Sequence, residues 1–266
     1  CLGQDQIIRI LVNRDKTQAI IPIDQNLNVG NSVTITALDN KIDKISDIAM
    51  NQYNELYVIY SLSSKIGKVD ASGKLINRST WGSKDKSESM VSFQQPTIIK
   101  AIPNYDKVLI GILDNKIRTL KLYQDSDFSS TQALEVPQLT LRPKLSESTE
   151  PQAIDYFACK DRKYIIYNKT VQFNGANRAT ETISCIQNDT TIFNIYAVAE
   201  AKKGVQGYNA LAIYNDKLFA LDTKAAKVFV YNNLTGNYIE SFAGKGSQDG
   251  HLDKPKSIAI DSDGMI

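Results

Sequence analysis

ISDIAMNQYNELYVIYSLSSKIGKVDASGKLINRSTWG, residues 45–82, holds four short apolar runs separated by polar turns. The runs are ISDIAM, ELYVIYSL, SKIGKVD and GKLINRSTW. They are rich in Ile, Val and Tyr, they partly alternate, and they are bounded by Asn, Asp, Gly and Ser, which is the signature of short strands in an antiparallel meander. Nothing in the stretch holds a 3.6-residue apolar period, so no helix is expected in it.

The opening phrase recurs along the chain, often after a proline: QPTIIKAI (95–102), EPQAIDYFA (150–158), YNALAIY (208–214) and KPKSIAID (254–261), spaced by roughly 50 residues. After the openings at 95, 150 and 208 come a second run (KVLIGILD, KYIIYN, KLFALD) and a third (NKIRTLKLY, KTVQFN, AKVFVYN). A fourth strand is expected in GNYIESFAG. Four short antiparallel strands per repeat, several times over, predict an all-β chain folded as a β-propeller of four-stranded antiparallel blades, each burying its faces against its neighbours.

The expected partition is one propeller domain over 1–266, with N-terminal strands or a partial blade at 1–44, blades at 45–94, 95–149, 150–207 and 208–253, and the start of a further blade at 254–266. The segment 1–44 offers QIIRILVN, QAIIPID and SVTITALD as strands. The stretches QDSDFSSTQALEVPQLTLRPKLSEST and NGANRATET read as irregular insertions, and YAVAEAKKG (196–204) as one or two helical turns.

With 266 residues, 42% hydrophobic and 23% charged, the chain is long enough to bury a sizeable core, and its composition excludes collagen-like, coiled-coil and wholly disordered classes. No apolar run approaches the roughly 18 residues of a spanning helix. Lys+Arg 31 against Asp+Glu 29, interleaved along the chain, predicts no phosphate-binding footprint and no nucleic-acid partner. Lys202 and Lys203 read as a solvated loop.

FAGKGSQDGHLDKPKSIAIDSDGMI (242–266) resembles the junction of an NHL repeat. The matching residues are Gly244, Gly246, Asp249, Gly250, Leu252, Pro255, Ile258, Ala259, Asp261 and Gly264. In such a junction the glycines are expected to supply positive φ, the leucine to plug between blades, and the proline to set an extended path. The resemblance implies a propeller of six blades if the chain continues beyond Ile266, with a five-bladed ring closed by the N-terminal strands as the alternative.

Three cysteines ask for an explanation. Cys159 and Cys185 lie in strand-like segments, and adjacent antiparallel strands could bring them together in a disulfide worth about 3 kcal/mol. Two buried thiols in a reducing compartment are the other reading. Cys1, followed by LGQDQ, resembles the mature end of a bacterial lipoprotein, whose N-terminal cysteine carries the lipid. A cysteine that merely begins the chain is the competing explanation.

Candidate chemistry is sparse. The single histidine, His251, sits in the junction and reads as a solvent-facing turn residue. Zinc sites built on several His or clustered Cys are excluded by the count. Propeller lyases and lactonases place His or carboxylate ligands around a central channel, and this chain lacks the lyase histidines. DSDG (261–264) and DSD (125–127) hint at calcium, although a hairpin turn explains the first better. No other cofactor is expected.

The expectation is therefore a non-enzymatic binding or scaffolding propeller of the cell envelope. It would be tethered through Cys1 at the outer membrane or cell surface, or be extracellular, and present its loops to a protein or, second, a glycan. A metal-dependent hydrolase or lyase, and a subunit of a homo- or hetero-oligomeric extracellular assembly, are the rival readings.

Overall fold

The computed structural model describes residues 8–14, 17–24, 26, 28–35, 44–51, 53–70, 72–81, 93–104, 107–114, 119–124, 139–140, 153–159, 162–188, 190–260 and 264–266. Cys1 and Asp261, and the expected calcium loop at 125–127, lie outside them. The chain divides into two compact units, Cys1–Pro143 and Lys144–Ile266.

In the first unit, β1 (Ile8–Arg14), β2 (Thr17–Ile23) and β3 (Val33–Thr34) form a three-stranded antiparallel sheet. Two four-stranded sheets follow. The first is β4 (Ile45–Met50), β5 (Leu56–Tyr60), β6 (Lys65–Val69) and β7 (Leu75–Trp81), and the second is β8 (Pro96–Asn104), β9 (Lys107–Asp114), β10 (Thr119–Gln124) and β11 (Leu139–Thr140). Each strand pairs with its sequence neighbour, so the order is a plain meander.

All five residues of β5 are buried. Because successive side chains point to opposite faces, Leu56, Val58 and Tyr60 join one cluster with Ile20 and Ile48, while Tyr57 and Ile59 join another with Ile99 and Ile112. A strand buried on both faces belongs to a sheet sandwiched between two others. Each such Ile, Val or Tyr contributes about 1.5–3 kcal/mol by leaving water.

The second unit repeats the plan. One sheet is β12 (Ala153–Cys159), β13 (Arg162–Phe173), β14 (Ala176–Gln187) and β15 (Thr190–Tyr196), and the other is β16 (Ala210–Tyr214), β17 (Lys217–Asp222), β18 (Lys227–Asn232) and β19 (Tyr238–Phe242). A 3-10 turn, Ala201–Lys203, is all that forms of the expected helical segment. β17 again faces two ways: Leu218 and Ala220 pack with Ile166 and Ile183, whereas Phe219 and Leu221 pack with Ile258 and Ile260.

Three expectations need correction. KYIIYN and KTVQFN are not two strands but one, the twelve-residue β13, and NGANRATET is no irregular insertion but the turn and return of a hairpin. Asn174 (φ 52) and Gly175 (φ 76) supply the two consecutive positive φ angles of a tight hairpin turn, so the chain reverses there and nowhere earlier. SIAI of the last opening, Ser257–Ile260, forms no strand among the described residues and contributes side chains to the core instead.

The third correction concerns the cysteines. Cys159 lies on β12 opposite Arg162, and Cys185 lies on β14 opposite Tyr164 and Phe193. β13 runs between the two strands, and two inter-strand spacings of about 4.8 Å exceed the span a disulfide bridges. Cys185 is a buried thiol, not half of a disulfide.

Candidate functional site

Carboxylates are the obvious candidates for chemistry, and the buried ones are spent on the backbone. Asp114 ends β9, is fully buried, and accepts the N–H groups of Gln94 (2.6 Å) and Gln95 (3.0 Å) just before β8. Asp222 ends β17 and does the same for Gln206 (2.6 Å) and Gly207 (3.0 Å) before β16, and its other oxygen takes Lys224 N–H and Ala225 N–H. The Asp that closes KVLIGILD and KLFALD is thus a clasp that holds the entry to its own sheet. Charge-assisted bonds of this kind are about twice as strong as neutral ones.

A second pair of aspartates acts between sheets. In β4 and β12 the strand pairing slips at or beside the aspartate, between Ile45 and Ile48 and between Ala153 and Asp155. Asp47 then accepts Ile99 N–H on β8 (2.9 Å), and Asp155 accepts Leu211 N–H on β16 (2.7 Å). Sequence reasoning missed both pairs, although Asp stands in two of the openings, ISDIAM and EPQAIDYFA, and closes two of the second runs, KVLIGILD and KLFALD.

In the junction, Leu252 packs against the cluster of Phe219 and Val230 while its N–H donates to Gly244 O (2.8 Å). Gly250 (φ 78) and Gly264 (φ 84) have positive φ, but Gly244 and Gly246 do not, contrary to expectation. A Cβ on Gly246 would stand 3.0 Å from the His251 ring, close enough that the ring would have to shift by a few tenths of an ångström. His251 is exposed. Among the described residues no group of three or more His, Cys, Asp or Glu converges. Pro255 is half-buried and Asp249 exposed.

In the first unit a cleft of about 220 Å³ is lined by Ile20, Pro22, Met50 and Leu56, with Arg9 and Asp70 among its polar groups. The Ser72 hydroxyl, above all, holds the Asp70 carboxyl below its ordinary range, helped by Lys74 N–H. In the second unit Tyr208, Tyr231 and Tyr238 form a column of edge-on rings, with centroids 6.2 and 5.9 Å apart, and the Lys203 ammonium lies 5.1 Å from the centre of the Tyr238 ring. Burial pushes the Tyr208 and Tyr231 hydroxyls far above the usual phenol range.

One hairpin runs on past its four-stranded sheet as an arm. β12 pairs with β13 only as far as Ala153↔Tyr167, and β15 with β14 only as far as Thr182↔Tyr196. Just beyond those points Ala197 N–H donates to Glu181 O (3.0 Å) and Val198 N–H to Oγ1 of the buried Thr180 (3.0 Å), and past them 170–173 pairs with 176–179 as a two-stranded ribbon, exposed throughout 174–179.

No family model matches the chain, and no curated protein matches it. Solved structures do. The hydrazine synthase of Kuenenia stuttgartiensis aligns with 99% of this chain and 89% of its own at 10% identity and a TM-score of 0.53. The virginiamycin B lyase of Staphylococcus aureus aligns over 96% and 72%, at 12% identity and a TM-score of 0.50. A streptogramin B lyase aligns over 98% and 74%, at 11% and 0.50. At such identities the likeness speaks to the fold alone, and with the repeated four-stranded antiparallel sheets it establishes an all-β, propeller-type chain.

Proposed function

We propose that this chain is a binding propeller of the cell envelope, tethered through a lipid on Cys1, that presents its loops and its arm to a protein partner. The observation that carries the reading is the β13–β14 arm. A two-stranded ribbon outside the sheet adds little to the core and is of marginal stability by itself, so its natural use is to reach another molecule. The clasping aspartates support the same reading, because the buried carboxylates among the described residues already hold backbone N–H groups.

The test is made on protein purified from its native membrane fraction. The proteolytic peptide that begins at Cys1 is expected to exceed its sequence mass by a diacylglyceryl increment, and extraction with mild detergent to co-purify one protein in stoichiometric amount. An unmodified Cys1 would overturn the tether. Stoichiometric calcium or zinc, with no partner recovered, would replace the binding module by a metal-dependent hydrolase or lyase.

A further inference from the structure

We propose that the arm takes up an extended acidic peptide as an added strand, with Lys169 and Arg178 pairing with its carboxylates. The inference rests on the binding-module reading and supplies the chemistry of the partner.

The register fixes which residues share a face. Directly opposed residues lie on one side of the ribbon, so Lys169, Val171 and Phe173 of β13 share a face with Thr180, Arg178 and Ala176 of β14. Lys169 is opposite Thr180 and Arg178 is opposite Val171, which makes the two cations diagonal neighbours about 7–8 Å apart or closer. Lys169, Val171 and Phe173 are half-buried and Arg178 is exposed.

No described residue gives Lys169 or Arg178 an ion pair or a hydrogen bond. The one acid on the ribbon, Glu181, is opposite Asn168 on the other face, and Lys224 already holds it at 3.3 Å. Two neighbouring like charges on one face repel until a counter-charge arrives.

The edges point to the form of that counter-charge. Among the described residues no strand pairs with the outer side of 168–173 or of 176–179, so each side carries N–H and C=O groups that no described strand takes up. Such an edge is a template for an added strand. In an extended peptide, residues i and i+2 project to one side about 6.8 Å apart. Added beside 168–173, such a strand sets one acid opposite Lys169 and the next opposite Val171, where the long Arg178 side chain reaches it across Val171 while the main chain completes the ladder. An anionic lipid surface would use the cations and Phe173 but would leave the edges unsatisfied, so the peptide is favoured.

The experiment selects phage-displayed random octapeptides on the whole protein and measures a synthetic copy of the enriched sequence by fluorescence anisotropy. Enrichment of extended sequences with alternate Asp or Glu is expected. So are at least tenfold weaker binding in Lys169→Glu and in Arg178→Glu, loss of binding at high salt, and new hydrogen-exchange protection within 168–179 on binding. A variant in which Asn168 is joined to Glu181 by an Asn-Gly turn should not bind, and the thermal transition of each variant checks that it is folded. Enriched peptides indifferent to both charge reversals and to arm removal would overturn the arm and leave the binding module standing. Failure of any peptide to enrich would also overturn it, as would phosphatidylglycerol vesicles that bind with the same charge sensitivity while no peptide does.

Discussion

Asp155 on β12 receives the backbone N–H of Leu211 on β16 at 2.7 Å, across 56 residues of chain, and both groups are buried. In the first unit Asp47 and Ile99 repeat the bond at 2.9 Å across 52 residues. One carboxylate thus ties the opening strand of a sheet to the opening strand of the next, where the burial of Leu211 and Ile99 leaves water no access to their N–H groups.

Asp155→Ala should cost about 2–3 kcal/mol, because it strands a buried N–H as well as removing a charge-assisted bond. Asp155→Asn, which keeps an acceptor oxygen, should cost less. Urea denaturation of both variants checks the order, and equal costs would mean that the carboxylate acts through its packing alone.

Asp222→Ala should be more damaging than Asp155→Ala, since four backbone N–H groups converge on the Asp222 carboxylate. Hydrogen exchange should show lost protection at Gln206, Gly207, Lys224 and Ala225 before any loss in the distant β13. Uniform loss across the second unit would contradict a local clasp.

Tyr208 and Tyr231 share a buried hydroxyl–hydroxyl bond of 2.6 Å, and the buried Tyr164 hydroxyl donates to Asn233 O at 2.7 Å. All three have folded-state values raised above the ordinary 10.0, chiefly by burial. The stability tied to their neutral forms is therefore complete below about pH 10 and is lost as pH rises through the folded-state values. Of the chain's 13 tyrosines, these three should withhold their phenolate absorbance at 295 nm until the chain unfolds. Tyr208→Phe and Tyr231→Phe should each cost about 1–2 kcal/mol, and the double variant less than their sum.

Gly73 and Gly175 both have positive φ, at 79° and 76°, but their surroundings differ. A Cβ on Gly73 would stand 2.5 Å from Thr34 O, whereas nothing lies within 4 Å of one on Gly175. Gly175→Ala should cost about 1 kcal/mol for its backbone angle, and Gly73→Ala clearly more, because backbone must move. Thermal midpoints compare the two, and equal losses would show that the contact with Thr34 relaxes freely.

Cys185 should resist thiol reagents in the folded protein and react on unfolding, since it is fully buried against Tyr164 and Phe193. Mass measurement before and after reduction should show no two-dalton change from a bond to Cys159. Such a change would restore the disulfide that the strand order forbids.

The sequence by itself determined most of the strands, because alternation and turn chemistry act over a few residues: LYVIY between polar turns reads as a strand, and VDASGK turns where Asp70 collects Ser72 and Lys74 N–H groups. It also showed the repeat, and with it the four-stranded sheets. Three things waited for the tertiary structure. NGANRATET had a turn signal in Asn174 and Gly175, but only the ladder partners of β13 and β14 show that both strands run on past their sheet. Cys159 and Cys185 looked bridgeable until β13 was seen between them. The roles of Asp47 and Asp155 depend on N–H groups more than 50 residues away, which come within reach only when whole sheets stack, a proximity that no local pattern encodes.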